Sequence, residues 1–498
     1  MSKILKEIAY LASKHKLVPF LGAGCSINHL KCGWDEIRDE LALQMNSLER
    51  DHLKIAQEYI DRHGKKAFCE FLKSKLLIDE FRDRNGFAHL AIMALGLGVI
   101  YTTNQDNVME RCLDKYGRRY KVIIELKDLA ESTPGDTLYI KFHGDPSVPD
   151  SVVFGIKDYD MRISDTNHFL NIRLKSDLLA KSLFFVGYSF RDKNIRLIFE
   201  ELKSIFGNKL PPSYMLAYSY SDELDRVCNE YGINLIDPLK EFPASKDNRE
   251  AFEIFLTELV KETFLLKTNQ EIQTLFNSPH PPTQRVISPL EIEALKSIIE
   301  QEDFLVACDK FRAVADQALI PLDYEETVTE LFTKLGDRCS NHEESEALNA
   351  AAFNLRLTKK PCMHKVLVTL IVSANVRDKN ELFYCPSYKP IPIKYYLTAI
   401  PFAIKHIIEK GDKITDTLRK HINSWIDYSV DISEFDLESQ HFIKHWIDEA
   451  WKGPTTYEHP LKRKERLKSF PQIRLKHGNI HKRMMSLLPL TFRRPFEE

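Results

Sequence analysis

The chain has no C-x-x-C pair. Its nine cysteines (Cys25, Cys32, Cys69, Cys112, Cys228, Cys308, Cys339, Cys362 and Cys385) are scattered. That excludes a zinc ribbon and a disulfide framework, and it leaves ordinary thiols in a reducing, cytoplasmic setting. No window approaches the roughly 18 consecutive apolar residues of a membrane span. The start, MSKILKEIAY, lacks the apolar core and small residues of a secretory signal. Charge of either sign is not in excess: 70 Lys+Arg against 72 Asp+Glu leave −2, so bulk charge names no partner. Glycine is scarce late in the chain, where only Gly336, Gly411, Gly453 and Gly478 follow residue 290. A second nucleotide-binding α/β domain would usually need a glycine-rich turn there. No repeat period emerges either, so a solenoid is not expected.

What is present is a long chain of alternating character. Its 498 residues exceed one hydrophobic core, so two or more domains are expected. Residues 3–15 carry a helical period. LVPFL (17–21), LGVIYTTN (97–104), LYIKFHGD (138–145), SLFFVGYSF (182–190), SYMLAYS (213–219) and INLID (233–237) read as strands between helical stretches. Pro19 is awkward inside LVPFL, because proline has no ladder donor, and is expected at the strand's start. Apolar strands interleaved with helices predict an α/β Rossmann-type parallel sheet over residues 1–270. NSPHPPTQRVISP has four prolines in thirteen residues, and a linker is expected over 271–289. Ser288, Pro289 and Glu291 form a helix-start pattern. A mainly α-helical domain follows over 290–498, with helical spacing at 290–320, 323–339, 343–358, 391–410, 412–426 and 436–452. It ends in a basic tail, 460–498, with eleven Lys/Arg against three Asp/Glu. That run is either a solvated face or acidic-partner dock, or a nucleic-acid contact.

Ligands of such sheets sit off the carboxyl ends of the strands. Here those ends carry GAGCS, TTNQDN, FHGD and GYS. In GAGCS, Gly22 and Gly24 permit close approach of a ligand, and a helix starting just after would favour a phosphate. Ser26 adds a hydroxyl. The competing reading is a tight turn without a ligand. Asn104 and Asp106 could grip a carboxamide or position a water, or could form an Asx turn. His143 ends its strand and suits general-base work. Asp145 either orients it or caps. Gly187 and Ser189 end the fourth strand with small residues suited to a ribose, and Asp192 leads into the next helix, or all three form an ordinary turn.

The order GAG-x-S, T-x-N-x-D, HG, G-x-S resembles the signature of the sirtuin fold, over about residues 5–240. The phrase FFVGYSFRDKNIR further resembles the sirtuin-like NADases of bacterial antiphage defence. The resemblance implies that NAD is the substrate and that Gly22, Ala23, Gly24 and Ser26 hold its pyrophosphate. It implies that Asn104 and Asp106 face nicotinamide and its ribose, that Thr103 also contacts the bound NAD, and that His143 is the catalytic base. Gly187, Ser189 and Asp192 would then meet the adenosine end. Protein-deacylating sirtuins carry a four-cysteine zinc module between HG and a following Phe-Gly. Here His143-Gly144 and Phe154-Gly155 lie about ten residues apart, with no cysteine from 113 to 227. Zinc and much of an acyl-peptide groove are therefore not expected. The function implied is an NAD+ glycohydrolase, with Asn104, His143 and Asp106 catalytic, held inactive until triggered. The alternatives are a non-enzymatic NAD- or nucleotide-sensing subunit and a zinc-free deacylase or ADP-ribosyltransferase. The resemblance also implies a homo-oligomer or a regulatory partner encoded nearby: an ATPase, an Argonaute or a nucleotide-processing enzyme. No membrane association is expected.

Overall fold

The computed structural model describes residues 2–30, 32–276, 285–315, 318–353, 360–375, 394–427 and 432–468. It divides into two compact units, 1–321 and 322–498.

The first unit is built on a seven-stranded sheet of order β3-β4-β2-β1-β5-β6-β7. The strands are β1 (Leu17–Leu21), β2 (Val99–Thr102), β3 (Tyr120–Ile123), β4 (Thr137–Lys141), β5 (Ser182–Val186), β6 (Ser213–Leu216) and β7 (Ile233–Ile236). Every neighbouring pair is parallel. From β1 the chain builds outward through β2, then returns to build the other way from β5. The topological switch point therefore lies at the β1–β5 pair.

Val18, Phe20, Val99, Tyr101, Phe142, Leu183 and Phe185 share one core with Leu170, Leu174, Ile195, Ile198 and Phe199 of the helices Phe169–Ala180 and Lys193–Phe206. Leu17, Leu21, Ile100, Phe184 and Val186, of opposite parity, are buried too. Burial on both faces is why these strands read as continuous apolar runs. Helices Trp34–Met45, His52–His63 and Lys65–Leu76 form a separate cluster. Their Ile37, Leu41, Phe68 and Leu72 pack with Val152 and Phe154.

Three details differ from the sequence reading. β3, which was not expected, is a short edge strand, and three of its four residues are only partly buried. YKVI alternates polar and apolar residues too briefly to register as a buried strand. Pro19 sits in the middle of β1, paired with Phe184, not at its start. The β2 side of β1 is laddered only from Phe20 onward, so at Pro19 that side has no ladder bond to lose. Finally, the first compact unit continues through the proline-rich segment to residue 321. Residues 277–284 of the expected linker lie outside the described residues. Beyond them, Arg285 is buried against Glu291 and donates to the Tyr116 carbonyl at 3.0 Å. The expected capping box is present: Ser288 accepts from the Glu291 amide, and Glu291 accepts from the Ser288 amide. The helix it starts, Pro289–Gln301, packs on the helix Asn248–Leu266.

The second unit is helical over Glu325–Asp337, His342–Phe353, Lys360–Ala374, Lys394–Glu409, Asp416–Asp427, Leu437–Ala450 and Pro460–Lys468. Phe332, Leu367, Ile371, Ile400, Ile404, Ile422 and Ile447 are among its buried residues. Of the basic tail, residues 469–498 lie outside the described residues. Among the described residues, no helix is long and apolar enough to cross a membrane.

Candidate active site

The carboxyl end of β1 turns directly onto that of β5. The Gly22 amide donates to the Val186 carbonyl at 2.9 Å, and the Gly24 amide donates to the Gly187 carbonyl at 3.0 Å. A Cβ on Gly22 would lie 2.3 Å from the Gly187 oxygen, and Gly187 has φ +63. These glycines thus let two strand-end turns touch backbone to backbone. The helix that would favour a phosphate does not begin here. Ala23–Cys25 is a single 3-10 turn, and the next α-helix waits until Trp34. Ala23 is partly exposed and Gly24 exposed. Cys25 is buried, and its thiol donates to the Val186 carbonyl. Burial pushes that thiol up to about 12, so it packs and does not react.

Ser26, Asn104 and Asp106 come together from the ends of β1 and β2. Ser26 is fully buried, and Asn104 and Asp106 are only 4% and 3% exposed. Asn104 Nδ2 donates to Ser26 Oγ at 3.4 Å, and the Asn104 amide is held by Thr102 Oγ1 at 2.9 Å. Asp106 Oδ1 accepts from the Val108 amide at 3.0 Å, starting the helix Val108–Lys115. Burial raises the Asp106 carboxyl above the usual range, opposed by that amide, by Lys141 and by Ser26 and Asn104. Ser26 also lies 3.4 Å from His89 Nε2. His89, from the helix Phe87–Leu95, is buried and driven down to about 3, chiefly by burial, so its imidazole is neutral. Thr103 is half-buried.

His143, beyond β4, is 3% exposed. Its Nε2 lies 3.2 Å from Asp192 Oδ2, and its Nδ1 lies 3.4 Å from the Tyr159 hydroxyl. Burial lowers the imidazole below its usual range, Asp192 opposes this, and Arg162 reinforces it. Tyr159 and Arg162 sit one turn apart on the helix Ile156–Ser164. Arg162 donates to the Phe142 carbonyl at 3.2 Å. Asp145 does not orient His143. It pairs with Lys141, whose buried ammonium also holds Glu110 at 2.8 Å and the Asp106 carbonyl at 2.7 Å. The β2 and β4 ends are tied further: Gln105 Nε2 donates to the Val153 carbonyl, and the Val153 amide donates to the His143 carbonyl. Tyr188, between Gly187 and Ser189, faces Thr103, Asp192 and Tyr159. Ser189 itself is exposed.

The structure thus gathers Ser26, Asn104 and Asp106 in one group and His143 and Asp192 in another, and it leaves Ser189 at the surface. Sequence reasoning missed His89, Lys141, Tyr159, Arg162 and Tyr188. Lys141 carried a signal, a charge inside an apolar strand run. Tyr159 and Arg162 lie outside every strand end, so position gave no hint. Among the described residues, no cluster of three or more His, Cys, Asp or Glu could hold a metal ion.

Residues 98–236 match the family model described as SIR2-like domain. The chain is 29% identical over 227 residues to an NAD(+) hydrolase ThsA of Cytobacillus dafuensis, which is 42% of this chain and 44% of that protein. It is 26% identical over 219 residues to an NAD(+) hydrolase ThsA of Enterococcus faecium, 43% of this chain and 45% of that one. It is 24% identical over 295 residues to Defense-associated sirtuin 2 of Bacillus subtilis, 56% of this chain and 29% of that one. The match therefore spans less than half the length of these curated relatives. Together with the parallel sheet and its strand-end chemistry, residues 98–236 are similar to a SIR2-like domain, and the chain is similar to curated NAD(+) hydrolases and to a defence-associated sirtuin.

Proposed function

We propose that the chain is an NAD+ glycohydrolase that releases nicotinamide and ADP-ribose, an NAD-depleting effector of antiphage defence held inactive until triggered. The observation that carries this reading is the gathering of Ser26, Asn104 and Asp106, with His143 on the adjacent strand end, in a chain similar to curated NAD(+) hydrolases.

Cleaving the nicotinamide–ribose bond passes through an oxocarbenium-like sugar, as in glycoside cleavage. Nicotinamide leaves as a neutral group, so little acid help is needed. Asn104 would position water or a ribose hydroxyl. His143, kept neutral by burial, would accept the proton released as water adds. Asp106 would hold the carboxamide. Gly22, Ala23, Gly24 and Ser26 would bind the pyrophosphate side, Gly187 and Ser189 the adenosine side, and Thr103 would contact the bound dinucleotide. Ser26, Asn104, Asp106 and His143 are all at most 4% exposed. Such burial suits an effector at rest. The helical region after residue 290 is the proposed seat of that restraint, through self-assembly or a partner protein.

The test is nicotinamide release from NAD by the purified full-length chain, with and without the products of neighbouring genes. His143→Ala and Asn104→Ala are expected to lower turnover on the order of 10²–10⁴-fold with the fold retained. Acetyl-peptide consumed one-for-one with NAD would replace this reading with a deacylase. NAD binding without release, even beside an activator, would replace it with a sensing module.

A further inference from the structure

We propose that Asp192 and Tyr159 are positioning residues for His143, with Asp192 selecting which ring nitrogen is left bare to accept a proton. This rests on the NAD+ hydrolase reading above and gives Asp192 a role distinct from ribose binding.

The argument begins with how firmly Asp192 is held. It N-caps the helix Lys193–Phe206, and its Oδ1 accepts from the Ile195 amide at 3.1 Å. That bond fixes the plane of the carboxylate and turns Oδ2 toward His143 Nε2, 3.2 Å away. Nε2 is buried and makes no aligned hydrogen bond, so the carboxylate acts through its field. Inside the protein that field is weakly screened. An ionised carboxylate only accepts, so a bare nitrogen lone pair facing it is repelled and an N–H is favoured. Nε2 therefore carries the proton, and Nδ1 is the accepting nitrogen.

Nδ1 is the nitrogen that meets Tyr159. The phenol lies 3.4 Å from Nδ1 and donates to Asp192 Oδ2 at 3.3 Å. Its ring stands edge-on to the imidazole, with centroids 5.3 Å apart, and blocks rotation of the His143 ring. The phenol has one proton for two acceptors. When a substrate hydroxyl or water donates to Nδ1, the Tyr159 hydroxyl keeps its proton and its hydrogen bond to Asp192 Oδ2. Burial holds the phenol far above its usual range, with Asp192 adding to this, so Tyr159 does not compete as a base. The helix that carries Tyr159 is anchored at its start, where Lys65 pairs with Asp158 and Asp158 accepts from the Phe154 and Gly155 amides.

The charged and titratable groups facing His143 are Asp192 from one helix and Arg162 and Tyr159 from another, which sets the sign of the test. Asp192→Asn removes the carboxylate that raises the imidazole pKa. Burial and Arg162 still lower it. Asparagine caps a helix as well as aspartate does, so the helix start survives. The new amide can donate to Nε2 and so favour the wrong tautomer.

The experiment uses the full-length chain labelled with 15N-histidine, as wild type, Asp192→Asn and Tyr159→Phe. His143 is expected as the Nε2–H tautomer in wild type and as Nδ1–H or a mixture in Asp192→Asn. With NAD as substrate, Asp192→Asn is expected to lower turnover on the order of 10⁴-fold, chiefly through kcat and not KM. The acid limb of its kcat/KM profile is expected at lower pH than in wild type. Tyr159→Phe keeps the edge-on ring and is expected to lower kcat about tenfold. An unchanged tautomer and an unmoved acid limb in Asp192→Asn would overturn the proposal. A wild-type chain that never releases nicotinamide would overturn the NAD+ hydrolase reading alone, because the tautomer measurement still decides the role of Asp192.

Discussion

Lys141→Met is the most informative single test of how the site is held. The Lys141 side chain is fully buried. Its ammonium ties Glu110 from the helix Val108–Lys115, Asp145 from the loop after β4, and the main-chain carbonyl of Asp106. Burial alone would lower the lysine pKa, but Glu110 and Asp145 together raise it above its usual value. Methionine fills similar volume and leaves two carboxylates buried without a cation. Breaking such a pair from one side costs about 3–5 kcal/mol. At the low end of the scaling for large domains, about 2 °C per kcal/mol, the melting temperature should fall about 6–10 °C.

The loss should also depend on pH. Without Lys141, Asp145 loses the ammonium that helps hold it low, and the Glu110 carboxyl, which burial already raises against Lys141, is raised further. A carboxyl raised in that way favours the folded state below the unfolded pKa, and the contribution disappears as pH rises through the folded pKa. The variant should therefore lie closest to wild type near pH 5 and furthest from it near pH 8, by scanning calorimetry at both. Adding Glu110→Gln should recover part of the loss at pH 8, because one uncompensated charge is gone. A cost below about 1 kcal/mol at pH 8, or a cost that grows on acidification, would refute the reasoning. Because Lys141 also holds the Asp106 carbonyl, the NAD cleavage proposed above should fall in the variant even at temperatures where it stays folded.

Gly22→Ala would place a Cβ 2.3 Å from the Gly187 oxygen and 2.6 Å from Tyr188 Cα. Backbone cannot swing aside as a side chain can, so about 1–3 kcal/mol should be lost in urea unfolding, while Gly98→Ala, with open space around it, should be near neutral. His89→Phe removes the imidazole beside Ser26. It should lower NAD turnover without moving either limb of the pH–rate profile, because His89 is already neutral down to about 3. Ser288→Ala removes the cap of the helix Pro289–Gln301 and should cost about 1 kcal/mol by chemical denaturation. In wild type, the acid limb assigned to His143 should fall below the ordinary histidine value, since burial lowers that imidazole. A folded pKa depressed in this way also means that stability is lost as pH falls from the unfolded value toward the folded one.

The sheet was legible because its strands are buried on both faces, and continuous apolar runs such as SLFFV leave little room for another reading. YKVI was not legible, since an edge strand half in water carries no such run. The capping box at Ser288 could be read because it is local, four residues long, and satisfies its own donors. That the helix behind it packs into the first unit could not be read, because a proline-rich stretch looks the same whether or not its far end is pinned by Arg285 and Glu291.

The candidate site divides along the same line. Asn104 and Asp106 follow one strand end and His143 the neighbouring one, and strand ends in a parallel sheet share one edge by construction, so a one-dimensional pattern was enough to place all three on that edge. Their partners were set by distances in space. Asp145 is two residues from His143 yet turns to Lys141, because a buried ammonium attracts it more strongly than a neutral ring does. Asp192, forty-nine residues on from His143, faces its imidazole because a helix cap fixes the carboxylate. Tyr159 reaches the same ring from a helix that no strand-end pattern includes. Residue type and order along the chain determined the chemistry that could collect at the sheet's edge. Only the packing of helices against that edge decided which groups touch, because charge and hydrogen bonding act over a few ångströms of space, whatever the separation along the chain.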